Sequence, residues 1–360
     1  MTAPRILVVG GYGVVGEQIA RLLAARNPEA ELWIGGRSIE IAAALAGQIP
    51  GSRGVRIDVD EADPLSALPE QPGLVVAAAN DSEDRLLLAA ARRGIAYVDI
   101  TRWTPRLHRA IERLSAVEMS APAVMASGWM AGVAATVAAR AAQDFSRIDM
   151  IEIDILYALK DKAGPNSVEY ADQLAVPFTI WSGGKPRIVK PLTDPKPVRF
   201  SGERTLECYR FDTPDQFTLV HALGAAGASS RLTYDDQNAA KFMRLLMASG
   251  IWSLLSLPLF RRVRRAILYN PGEGAPHEVS IRVSGQALDG SAKESRLSVI
   301  DPFSQTHMTA AGAVMQSERI LGLRGRARPG PGVSFPEQAA DLETGIAALR
   351  EMGIRIESAS

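Results

Sequence analysis

The sequence predicts an α/β protein: a doubly wound parallel sheet, followed by a second α+β domain whose sheet is largely antiparallel. Three observations carry this reading. An uninterrupted aliphatic run at 6–9 breaks into glycines and then into a helical pattern. Strand-like and helix-like stretches then alternate to about residue 126, which implies right-handed crossovers between parallel strands. From Ile148 onward the texture changes to short stretches in which apolar and polar residues alternate.

Residues 6–9 suit a parallel strand buried on both faces. Over 14–25, Val15, Ile19, Leu22 and Leu23 recur at helical spacing, while Glu17, Gln18 and Arg21 supply a polar side. Strands are expected at 31–34, 55–59, 74–79, 96–100 and 123–126. The helices between them fall at 39–49, 84–93 and 106–114, the second of these closed by Gly94, a residue that accepts the left-handed conformation past a helix end. A helix at 132–142 leads out of this region, and 151–155, 205–211 and 278–283 alternate as strands with one wet face do. Helices are expected at 238–257, 309–321 and 336–351, with an Arg, Gly and Pro-rich loop at 324–331. The expected domains are 1–125 for the parallel sheet, 126–308 for the α+β domain, and 309–360 as helices returning to the first domain.

The 360 residues are 47% hydrophobic and 22% charged, as in ordinary globular proteins. Lys plus Arg number 40 and Asp plus Glu number 40, so no overall field favours nucleic acid as a partner. The lone Cys208 excludes an internal disulfide, and His108, His221, His277 and His307 show no metal-ligand spacing; no metal is expected. The first apolar run is too short for a signal peptide, and no run of 18 apolar residues would span a membrane. A cytoplasmic location is expected.

The strongest chemical signal is Gly10-Gly11-Tyr12-Gly13-Val14-Val15-Gly16, between the first strand and the first helix. In this context G-x-G-x-x-G is the fingerprint of a Rossmann dinucleotide site. One glycine permits the tight turn, Gly13 lets a pyrophosphate approach the backbone, and Gly16 lets the helix lie against the sheet. The helix N-terminus faces the phosphates. The second strand ends in Gly36-Arg37-Ser38, without the acid that binds ribose hydroxyls in NAD-specific domains. Arg37 and Ser38 suit a 2′-phosphate, so NADP is the expected cofactor, with NAD as the alternative. Ala79 and Asn80, after the fourth strand, are expected at the sheet edge where such cofactors lie, and Asn80 also suits a helix cap.

These residues, with Tyr97-Val-Asp-Ile-Thr101, Ser127-Gly-Trp-Met-Ala-Gly132 and Pro331-Gly-Val-Ser-Phe-Pro-Glu337, make the chain resemble the saccharopine dehydrogenase-like oxidoreductases over nearly its whole length. The resemblance implies a Rossmann domain, an inserted α+β domain that contacts a small-molecule substrate and often dimerises, and an enzyme acting mostly on C–N bonds of amino acids with a nicotinamide cofactor. A homodimer is therefore expected. The sequence departs from the pattern at Ala78-Ala79-Asn80, where many members carry Ala-Gly-Pro.

Hydride transfer needs aligned carbon atoms, exclusion of water, and one group to manage a proton. Asp99 at the end of the fifth strand, His307 before the helix at 309, and Tyr170 are the candidates, with Lys160 and Lys162 behind them. The expected reaction is hydride transfer to or from a C–N bond of an amine, imine or amino acid. The alternatives are reduction of a C=C or C=O bond in a hydrophobic substrate, and a protein that binds NADP without turnover. One stretch stands apart: 251–265 is apolar and then strongly basic. It is expected to be a buried helix with a solvated end, the alternative being peripheral contact with anionic lipid.

Overall fold

The computed structural model describes residues 3–161, 174, 176–255, 257–260, 262 and 274–358. Its elements begin with β1 (Arg5–Val9), α1 (Val14–Arg26), β2 (Glu31–Gly36), α2 (Ile39–Ala46), β3 (Ser52–Arg56), β4 (Leu74–Ala77), α3 (Arg85–Arg92), β5 (Ala96–Asp99), α4 (Thr104–Ser115), β6 (Pro122–Met125) and α5 (Trp129–Ala142). There follow β7 (Phe145–Tyr157), β8 (Phe178–Ser182), β9 (Lys185–Val189), β10 (Lys196–Arg199), β11 (Thr205–Arg210), α6 (Asp215–Leu223) and β12 (Ala228–Tyr234). The last are α7 (Gln237–Ala248), α8 (Ile251–Leu255), β13 (His277–Ala287), β14 (Ala292–Asp301), α9 (Gln305–Leu321), β15 (Gly332–Ser334), α10 (Leu342–Glu351) and β16 (Arg355–Ser358). The chain divides into two units, Met1–Val133 with Thr306–Leu349, and Ala134–Gln305 with Arg350–Ser360.

In the first unit every neighbouring pair is parallel, in the order β15-β6-β5-β4-β1-β2-β3. The chain winds outward from β1 through β2 and β3, then crosses to β4, β5 and β6 on the other side, so the topological switch point falls between β1 and β4. Ile6, Leu7, Val8, Leu74, Val75 and Val76 are fully buried, which is why these strands are uninterrupted aliphatic runs. The short β15 was not expected, because three residues hold too little periodicity to mark a strand. Helix α1 buries Ile19, Ala20 and Leu23 against the sheet. At its far end Arg26 Nε donates to Glu318 Oε1 at 2.8 Å and Asn27 Nδ2 donates at 3.2 Å, so the buried Glu318 of α9 ties the returning helix to α1.

The second unit has a mixed, mostly antiparallel sheet in the order β10-β11-β12-β7-β13-β14-β16, with β8 and β9 attached through β12. The one parallel pair on that path is β7 with β12. One face carries Ile151, Ile153, Ile155, Val279, Ile281 and Val283, all buried. The opposite face, expected to be wet, is not: Glu152 and Asp154 are buried there. Lys196 Nζ lies 2.6 Å from Glu152, Arg231 lies 3.1 Å from it, and Arg282 pairs with its other oxygen. Desolvation pushes the Asp154 carboxyl up to about 6, against the pull of Lys196 and Arg231. Alternation marked the two faces correctly, but charge pairing rather than water meets the polar one.

Three further expectations change. The helix at 238–257 breaks at Gly250, whose φ of +76° is left-handed, into α7 and α8. The stretch from 251 is not buried throughout: Trp252 is, but Ile251, Leu257 and Leu259 are exposed. Residues 256, 261 and 263–265 of that stretch lie outside the described ones. The expected helix at 336–351 is a 3-10 turn at Pro336–Gln338 followed by α10, and the chain ends in β16, antiparallel to β14 in the second sheet. No helix among the described residues is long and apolar enough to cross a membrane.

Candidate dinucleotide site

The glycine-rich turn lies at the carboxyl end of β1, beside the switch point. Gly10 N and Gly11 N both donate to Gly35 O, at 2.9 and 3.0 Å, and Gly13 N donates to Gly10 O at 2.9 Å, which folds the turn tightly across the ends of β1 and β2. Gly10 has φ of +79°, and a Cβ there would stand 2.9 Å from Ala79 N. A Cβ at Gly16 would stand 2.1 Å from Gly10 O, so only glycine lets α1 start this close to the turn. Gly13 differs. Its φ of −77° is open to any residue, and the only protein atom within 4 Å of an added Cβ is Gly10 O at 3.1 Å. The space that its missing side chain leaves opens to the surface. Past it, the first-turn amides of Val14, Val15 and Gly16 have no intrahelical acceptor, as at any helix N-terminus. The residues present therefore fit a bound pyrophosphate: an open glycine, outward amides and the positive end of a helix.

At the end of β2, Gly36 has its own constraint: a Cβ there would stand 2.2 Å from the ring of Tyr12. Tyr12 thus lies over Gly36, and its hydroxyl accepts a hydrogen bond from Ser38 N at 3.2 Å. Arg37 is exposed beside it. Ser38 caps α2, its Oγ accepting from Ile41 N at 3.3 Å and donating to Glu40 Oε2 at 2.7 Å. That hydrogen bond holds the Glu40 carboxyl below its ordinary range. Arg37 is thus an exposed cation at the end of β2, while the hydroxyl of Ser38 is already engaged.

After β4, Asn80 accepts from the Arg106 guanidinium, which also donates to Asp81 O and stacks on Trp103 at 4.8 Å. Asp81 caps α3, accepting from Arg85 N at 2.8 Å and Leu87 N at 3.2 Å. Burial pushes its carboxyl upward despite those bonds and the nearby Arg102. Asp99 is fully buried: Arg102 pairs with it, Thr101 N donates to it at 2.9 Å, and Ser127 Oγ donates to it at 2.8 Å. Arg102 is itself buried and lies 3.0 Å from Asp84, which also takes Arg109 at 3.0 Å and Arg113 at 3.1 Å. These arginines recur at helical spacing, which turns them toward the same buried acid, Asp84.

Beyond β6 the chain makes a left-handed turn that the sequence did not announce: Met130, Ala131 and Gly132 have φ of 55°, 54° and 77°. Two of them are not glycine, and each costs on the order of 1–2 kcal/mol in this conformation. Close packing holds the turn in place. A Cβ at Gly312 of α9 would stand 2.4 Å from Met130 O, and one at Gly132 would stand 2.2 Å from Pro336. The first turn of α9 also carries His307, half-buried; its neighbour Thr306 accepts a hydrogen bond from Gln18 of α1 at 3.0 Å, and Thr309 lies against Met130. His307 thus stands on a segment braced between the dinucleotide helix and the turn after β6. Helix α9 starts four residues earlier than expected, which brings His307 inside it. Tyr170 and Lys162 lie outside the described residues, and Lys160 is exposed in the second unit. Among the described residues no group of His, Cys, Asp and Glu could hold a metal ion.

The sheet order, the glycine turn and the helix it opens define a dinucleotide-binding domain. Residues 6–135 match the family model of the saccharopine dehydrogenase NADP-binding domain. A search of curated proteins matched none. Among solved structures, the apo saccharopine dehydrogenase (L-Glu forming) of Saccharomyces cerevisiae is similar over 99% of this chain and 100% of its own, at 15% identity and a TM-score of 0.70. The amine dehydrogenase of Mycobacterium smegmatis is similar over 94% and 96%, at 14% identity and a TM-score of 0.49. The chain is an NAD(P)-dependent oxidoreductase.

Proposed function

We propose that the protein is an NADP(H)-dependent oxidoreductase that acts on a C–N bond of a small amine, imine or amino acid. The observation that carries this is the saccharopine dehydrogenase-type NADP-binding domain, with its glycine turn intact at the switch point. Bound nicotinamide supplies or takes up the hydride. The chain's own tasks are to seat the phosphates on the amides of Val14, Val15 and Gly16, to neutralise the 2′-phosphate with Arg37, and to manage one proton. His307 is the better placed of the two described candidates for the proton, being half-buried at the start of α9. Asp99, enclosed by Arg102, Thr101 and Ser127, acts as a positioning residue that fixes Ser127 where the chain enters the left-handed turn.

Three outcomes are expected. Arg37→Ala weakens NADPH binding by about 1.5–3 kcal/mol, the scale of a charged hydrogen bond, and leaves NADH binding nearly unchanged. Fluorescence titration of both cofactors reads this, and unchanged NADPH affinity would remove the phosphate contact from Arg37. In a screen of amino acids, polyamines and oxo-acid plus amine pairs, turnover appears with C–N substrates. His307→Ala lowers kcat more than it raises KM. Activity confined to enoyl or ketone substrates would overturn the bond assignment.

A further inference from the structure

Five of the exposed large apolar side chains gather in one short part of the second unit: Phe242, Leu245, Ile251, Leu257 and Leu259, with Leu259 as much as 83% exposed. On α7, Lys241, Phe242 and Leu245 share the outward face while Ala240 and Met243 are buried on the other. This helix, which packs against α8, thus carries large apolar side chains on its exposed face as well as on its buried one. The second observation concerns charge. Residues 237–265 contain no Asp or Glu, but they contain Lys241, Arg244, Arg261, Arg262, Arg264 and Arg265. Lys241, Arg244 and Arg262 are exposed in the structure.

An exposed apolar patch whose own charges are basic, with acids only at the start of α7 in Asp235 and Asp236, has a limited choice of partners. In a two-fold contact between identical faces, each basic group would meet its own kind, without an acid from this stretch to offset it. An anionic lipid surface meets both requirements: its acyl boundary accepts Phe and Leu side chains, and its head groups attract Lys and Arg. We propose that the face formed by α7, α8 and the turn at Pro258–Phe260 docks the protein peripherally on anionic membranes. Phe242, Leu245 and Leu259 enter the head-group boundary while Lys241 and Arg262 lie at the phosphate level. The inference stands apart from the hydride chemistry proposed above.

Co-sedimentation of the full chain tests it. Phosphatidylcholine vesicles carrying about 30% phosphatidylserine should pellet the protein at least about tenfold more strongly than phosphatidylcholine alone, and high salt should abolish the difference. Phe242→Ser with Leu259→Ser, and separately Lys241→Glu with Arg262→Glu, should each lower the binding about tenfold. NADPH affinity and mass in solution should stay unchanged, which shows that the variants are folded. Equal pelleting by the two kinds of vesicle, or full binding by either double variant, overturns the proposal. So does a dimer that dissociates when Phe242 and Leu259 are replaced, because a second copy of the chain would then cover this face.

Discussion

Arg102→Met is expected to lower the unfolding free energy by about 3–5 kcal/mol at pH 8, the scale of breaking a buried ion pair from one side. Arg102 is fully buried and pairs with Asp99 and Asp84, with Asp81 at 3.7 Å. Removing the guanidinium leaves three buried carboxylates close together. Asp84 retains Arg109 and Arg113, but Asp99 loses its paired cation. Burial already pushes the Asp81 carboxyl above its ordinary range while Arg102 pulls it down, so the substitution raises it further. A carboxyl whose folded pKa lies above its unfolded value costs stability above the folded pKa, and that cost disappears as pH falls below the unfolded value near 4. The deficit should therefore shrink as pH falls from 8 to 4, and Asp99→Asn combined with Arg102→Met should recover part of it at pH 8. Urea denaturation at the two pH values measures this. A variant within about 1 kcal/mol of the parent at pH 8 would show that the cluster does not depend on Arg102.

The elements read most clearly from the sequence were those whose physics is local. The aliphatic β1, the glycine turn and the spacing of Ile19 and Leu23 in α1 each follow from neighbouring residues. What stayed hidden depended on partners far along the chain. The alternation Ile151-Glu-Ile-Asp-Ile155 has the same pattern whether its polar face meets water or arginines, and here Arg231 and Arg282 meet it from β12 and β13. The arginines from 102 to 113 were not singled out, because their acids, Asp84 and Asp99, lie in the loop after β4 and at the end of β5. The left-handed turn at 130–132 had no marker beyond Gly132, because Met130 and Ala131 are held by packing from α9 and Pro336 rather than by their own preference. Helix α9 begins at Gln305, whose N donates to Asp161 Oδ2 at 2.8 Å, after an approach in which Asp301 accepts from Phe303 N at 2.8 Å and Ser304 N at 3.2 Å, partners that no hydrophobic period reports. At the site, the close packing that requires glycine at 10 and 16 was readable, whereas the enclosure of Asp99 was not, since it depends on Arg102 and Ser127 folding over it.

Gly13→Val is expected to weaken NADPH binding by at least about a hundredfold, roughly 3 kcal/mol, while the protein stays folded. The backbone raises no objection: φ of −77° and ψ of 169° are extended values that valine adopts readily. Within the protein the new Cβ meets Gly10 O at 3.1 Å, a contact that a shift of a few tenths of an ångström relieves. The rest of the side chain would fill the open space beside the amides of Val14, Val15 and Gly16, where the phosphates are proposed to lie. Gly16→Val is the contrasting case. Its Cβ would stand 2.1 Å from Gly10 O and 2.8 Å from Gly11 Cα, so it should lower the melting temperature as well as cofactor affinity. Thermal melts and NADPH titrations on both variants separate the two effects, a lost ligand in the first and a displaced helix in the second. If Gly13→Val binds NADPH as the parent does, the pyrophosphate does not pass over this turn, and the assignment of Gly10, Gly11, Gly13 and Gly16 as the cofactor's seat is wrong.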